Sequence, residues 1–255
     1  MNPQNHGLHR SAFTLLEMLT VLVVLVLLSA LIVPRIGGVS GQANSATQAN
    51  ILSAVNRAVQ QFEAQYGRLP DTWDYVVDET NAAYRLHPDL APHLQTATLT
   101  ADQATSLTRA GMVGGHFQSS SFTGLPHESI GGWAPIAASR TVLTMVKPTT
   151  FGGHYVDFLD RAFGVNQFNA DAFASEYVVL GLAGPTSLRG NTIMESPIVQ
   201  AAEPQENYAR VLAVFRVPGA GQQVFPAQYM GCIGPDGTTL NDNINSYNAS
   251  QVPLH

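Results

Sequence analysis

Residues 11–34 read SAFTLLEMLTVLVVLVLLSALIVP. Glu17 is the only charge in this run, and residues 18–33 carry none. At 1.5 Å rise per residue, residues 13–33 make a helix of about 30 Å, the thickness of a bilayer's hydrocarbon core. The hydropathy therefore predicts a transmembrane half-helix over residues 13–34. A secretory signal peptide would have a shorter apolar core with a small-residue cut site after it; here Ser29 and Ala30 lie inside the run. An ordinary signal anchor fits the hydropathy equally well. Arg10 precedes the run, and basic residues before a first span hold that end in the cytoplasm. The rest of the chain is thus expected outside it, since no second run of that length follows.

Beyond the run the pattern changes. Pro34 lacks an N–H and crowds the turn before it, and Gly37, Gly38 and Gly41 follow at once. The helix is expected to continue through this stretch, weakened. Leu52, Val55, Val59, Phe62 and Tyr66 then fall three or four residues apart, on one helical face. Gln48, Asn56, Arg57, Gln60 and Glu63 read as the polar face. Residues 35–66 are accordingly predicted as an amphipathic half-helix, stopped by Gly67 and barred from continuing by Pro70.

Residues 67–255 read as one globular domain. Short β-branched and aromatic runs at 73–77, 141–146, 154–158, 176–182 and 208–217 alternate with Gly-Gly pairs. Residues 86–110 suit one or two short helices. The fold class predicted is α+β, with the long N-terminal helix packed on an antiparallel β-sheet. Sixteen of the eighteen acids lie beyond Tyr66, against nine of the twelve Lys and Arg. An acidic domain argues against nucleic acid as a partner. Cys232 is the only cysteine, so no intrachain disulfide can form. No P-loop, Gly-x-Ser-x-Gly or His-Glu-x-x-His pattern occurs. The pairs His87/His93 and His116/His127 have no carboxylate at a recognisable spacing. The chain reads as no enzyme.

Ala12-Phe13-Thr14-Leu15-Leu16-Glu17 resembles the prepilin cleavage and methylation motif of type IV pilins and type II secretion pseudopilins. The resemblance implies a leader of residues 1–12, cut by the prepilin peptidase between Ala12 and Phe13, and N-methylation of Phe13. Glu17 is then fifth in the mature chain and Pro34 twenty-second, where many family members also have proline. Ala12 stands where the family usually has glycine. A carboxylate within an apolar segment marks a functional position, and in this family it meets the N-terminal amine of a neighbouring subunit, setting register. Tyr66-Gly67-Arg68-Leu69-Pro70 is similar to the segment that follows the helix in the major pseudopilins.

The tail, Gly234-Pro235-Asp236-Gly237 followed by Asp242-Asn243, resembles the C-terminal loop of the major pseudopilins, which binds one calcium ion. By matched position Asp236, Asp242 and Asn243 are the side-chain ligands implied, Asn243 standing where the family usually has Asp. Calcium takes six to eight oxygens, and Asp, Asn and backbone carbonyls at short spacing supply them. The same residues also build turns without any metal.

Taken together, the resemblance implies a pilin-like fold and a single-pass inner-membrane protein with a periplasmic domain. It would be a pseudopilin that assembles through its N-terminal helix to help drive protein export. Its partners would be other pilin-like subunits, the prepilin peptidase and an inner-membrane assembly platform. A surface type IV pilin is the first alternative. A membrane-anchored periplasmic enzyme is the second, and it requires a clustered catalytic set.

Overall fold

The computed structural model describes residues 15–119, 124–125, 131–149, 158–163 and 169–250; within these, the side chains of 28–42, 247 and 250 are not described. The chain divides into two units, Met1–Ala43 and Asn44–His255. Helix α1, Leu15–Tyr66, contributes to both.

In the first unit the described part is helix alone. Its apolar side chains over residues 15–27 are all exposed, between 49 % and 84 %. Among the described residues no helix is long and apolar enough to cross a membrane. The transmembrane half predicted for residues 13–34 is thereby corrected, and with it the placement as a single-pass inner-membrane protein.

The second unit opens with the remainder of α1. Leu52, Val55, Val59 and Phe62 are buried at 2 % exposure or less, as their spacing predicts. Two assignments of face are corrected. Gln48 is buried one turn before Leu52, on the apolar side, and Tyr66 is exposed. The helix stops where Gly67 turns left-handed at φ +66°, its N–H bonding back to the Glu63 carbonyl.

Strand β1 (Thr72–Asp78) follows, then a 3-10 turn (Ala91–His93), β2 (Leu94–Thr98) and α2 (Ala101–Arg109). Thr100 and Gln103 cap α2 reciprocally, each side chain taking the other's backbone N–H. Next come β3 (Gly114–Gln118), β4 (Trp133–Pro135), β5 (Thr141–Met145), α3 (Phe158–Phe163) and α4 (Ala170–Ala174). The chain continues through β6 (Glu176–Gly181), a 3-10 turn (Gln200–Ala202), β7 (Leu212–Val217) and β8 (Gln228–Ile233) to α5 (Leu240–Ser250). The strand expected over 154–158 falls largely outside the described residues, and Phe158 opens a helix instead.

The eight strands form one sheet in the order β2-β5-β6-β1-β3-β4, with β7 also on β6 and β8 on β7. The sheet is mixed. β1 and β3 run parallel, which overturns the all-antiparallel sheet expected. The physical reason is the crossover: residues 79–113, with β2 and α2, return the chain to the starting end of β1 before β3 begins, as a parallel pair requires.

Strand β6 is the centre. One edge pairs β7 along its whole length; the other pairs β5 at Val178 and Val179 and β1 at Gly181. Both of its faces are covered, which accounts for its unbroken apolar run. Strand β1 is likewise buried throughout its interior. Its register with β3 shifts between Asp74 and Asp78, and inside that irregularity Val76 sits at φ +54°. A β-branched residue there stores about 1–3 kcal/mol of strain.

Candidate functional site

Three places stand out, and two of them answer to the sequence. The first is the apolar helix of the first unit. Glu17 lies on it, exposed, in the first turn of α1. Thr20 donates its hydroxyl to the Leu16 carbonyl at 2.7 Å, which keeps one polar group satisfied within the helix itself. Pro34 falls within α1, but its side chain is outside the description; Ala12 and Phe13 lie outside the described residues altogether. A helix apolar on every side needs an apolar surrounding to cover it.

The second is the tail. Strand β8 lies along the buried face of α1: Cys232 Sγ donates to the Leu52 carbonyl, and Tyr229 Oη to Asn56 Oδ1 at 2.6 Å. The chain then turns tightly, Gly234 N–H bonding to Thr238 O and Gly237 N–H to Gly234 O. Gly237, at φ +82°, permits the turn. Asp236 Oδ1 accepts from Gln48 Nε2 at 2.6 Å, from Thr238 Oγ1 at 2.8 Å and from Thr238 N at 3.2 Å. Thr238 Oγ1 in turn accepts from Gln48 Nε2 at 2.6 Å and from Asn243 Nδ2 at 3.0 Å.

Asp242 faces elsewhere. Its Oδ2 accepts from Thr239 N and Oγ1, closing a capping box at the start of α5. Its Oδ1 lies 3.6 Å from the Arg161 guanidinium. Asp236 and Asn243 are thus joined through one hydroxyl, while Asp242 is committed to the helix cap and to a cation of the protein itself. These residues, so arranged, do not fit a calcium ion. Asp236 Oδ1 and Asp242 Oδ2 are each taken by N–H and O–H donors, and Asn243 presents its amide nitrogen to the turn.

The third place was not legible in the sequence. Asp74, on β1, is 3 % exposed. Its Oδ2 accepts from Tyr208 Oη at 2.8 Å. Its Oδ1 has no hydrogen-bond partner and lies 3.7 Å from His116 Nδ1, which also has none. The missing carboxylate partner of His116 is therefore Asp74, its register partner across the parallel pair. Burial pushes the Asp74 carboxyl up to about 6, against the pull of the Tyr208 hydrogen bond and the Arg210 charge. Burial likewise holds His116 below its usual value, with a backbone hydrogen bond at Trp73 opposing. Asp74 and Tyr208 are both buried within the sheet.

Gln48, Arg161, Thr238 and Thr239 were missed as well. For Gln48 a signal was present. It continues the buried series Leu52, Val55, Val59, Phe62 by one turn, and only its polar type assigned it to the other face. Comparison with protein-family models, with curated proteins and with solved structures gives no match.

Proposed function

We propose that this chain is a pseudopilin-like subunit that assembles through its N-terminal helix into a filament of the type II secretion kind. The observation that carries the reading is the spacing of Ala12, Phe13 and Glu17 ahead of an unbroken apolar run. The exposure of every apolar side chain over residues 15–27 supports it, because equivalent helices of neighbouring copies would cover that surface. Within such a bundle the Glu17 carboxylate of one copy faces the methylated amine of Phe13 on the next. Each charge would be costly without the other, so the pair admits one register and disfavours slipped ones.

The test is made on protein recovered from cells that express the full chain. Its N-terminal peptide is expected to begin at N-methylated Phe13. Glu17→Ala is expected to leave the fold of residues 44–255 unchanged and to lower the yield of sedimentable filament by roughly tenfold or more, a loss of at least about 1.4 kcal/mol per added subunit. Filament at the wild-type level in that variant would remove the register role. A mature chain that still begins at Met1 would remove the processing step.

A further inference from the structure

We infer that the turn at residues 234–239 is a cation-free clasp, in which the Gln48 carboxamide stands where a bound cation would otherwise neutralise Asp236. The geometry carries this in three ways. First, one nitrogen of Gln48 reaches both Asp236 Oδ1 and Thr238 Oγ1 at 2.6 Å, and Gln48 is only 4 % exposed. Three N–H and O–H donors converge on one Asp236 oxygen, so the carboxylate is hydrogen-bonded there by the protein itself, without any metal.

Second, the space is already full. A methyl group built on Gly234 would fall on Asp236 Oδ1, 2.5 Å from Gln48 Nε2 and 2.8 Å from Thr238 Oγ1. An ion coordinated there would first have to displace the amide. Third, Asp242, the other carboxylate of the tail, is held by the Thr239 cap and the Arg161 guanidinium, so it does not turn toward Asp236. The clasp joins positions 188 residues apart and fixes both the turn and the start of α5 to helix α1 through side chains alone. Its hold on the tail is therefore indifferent to calcium supply.

The test uses the full chain, with calcium chloride and EGTA as probes and thermal unfolding as the readout. The wild-type midpoint is expected to agree within about 1 °C between the two, whereas an ion present at a hundred times its Kd would move it by on the order of 5 °C or more. Gln48→Leu is expected to lower the midpoint by on the order of 5 °C, equally in both buffers, by leaving the half-buried Asp236 carboxylate short of a donor. Gln48→Glu sets two carboxylates face to face; it is expected to lose stability in EGTA and to regain it with calcium. A wild-type midpoint raised several degrees by calcium, with the gain abolished in Asp236→Asn, would overturn the proposal. So would a Gln48→Glu chain as stable as wild type in EGTA. The wild-type comparison decides even if Gln48→Leu does not fold.

Discussion

Gly181→Ala is expected to cost about 3–5 kcal/mol. Gly181 ends β6, pairs with Asp74 of β1, and has Tyr208 lying over it. A Cβ there would fall on the Tyr208 hydroxyl, with the ring carbon behind it 2.6 Å away. The ring cannot withdraw, because Tyr208 is buried and hydrogen-bonded to Asp74. The cost has two parts. Overpacking a filled core takes about 1–3 kcal/mol, and dislodging the donor of a buried carboxylate takes a further 1.5–3 kcal/mol or so. Urea unfolding of the single and double variants measures both. In a Tyr208→Ala background the added methyl enters the space left by the ring, so the two changes are expected to be strongly non-additive. Additive costs would mean that Tyr208 is not what Gly181 accommodates.

Asp74→Asn is expected to stabilise the protein at pH 8 by up to about 3 kcal/mol and to change little at pH 4. The sign follows from the direction in which burial moves the carboxyl. The folded-state pKa of Asp74 is raised from 3.8 to about 6, so the folded state binds this proton more tightly than the unfolded chain does. The contribution is complete below about pH 4 and is lost as pH rises through about 6, each pH unit between the two values being worth about 1.36 kcal/mol. Asparagine stays neutral and so escapes the loss. It also places an N–H within reach of the unpartnered His116 Nδ1. His116 works in the opposite sense: its lowered pKa costs stability as the pH falls below its ordinary value. The wild-type profile is therefore the flattened sum of two opposed titrations, and the variant is expected to separate them. Chemical denaturation from pH 4 to pH 8 checks this; a stability difference that does not grow with pH would show that Asp74 is not the titrating group.

What could be read from the sequence was what depends on neighbours along the chain. The face made by Leu52, Val55, Val59 and Phe62 follows from helical periodicity, and the stop at Gly67 from its freedom to adopt positive φ. Strands β5, β6 and β7 announce themselves as β-branched runs. The parallel union of β1 with β3 does not, because which strands pair is settled by a crossover rather than by the composition of either strand. For the same reason Asp74 and His116, 42 positions apart, gave no sign of each other. Strand β2 (Leu94–Thr98) carries too little apolar alternation to be distinguished from the helix after it, and α5 was hidden by tail residues rich in turn-forming Asn and Asp. The apolar run was legible as a run, but its length was read as a membrane thickness. Among the described residues no helix is long and apolar enough to cross a membrane.

The apolar face of α1 is covered from very far away. Leu52 meets Cys232 across 180 residues, and Gln48 meets Asp236 across 188. During synthesis this face leaves the ribosome early and waits, open, for almost the entire domain to emerge. Contacts of such separation form late, because a long loop must close before they give any return. Until then the nascent chain presents two sticky surfaces, the stretch at residues 15–27 and the Leu52–Phe62 face, both of the kind that holdase chaperones bind. A product cut short before β8 lacks the contacts that Tyr229 and Cys232 make with this helix. Closure of this helix face thus waits on β8 and on the turn behind it.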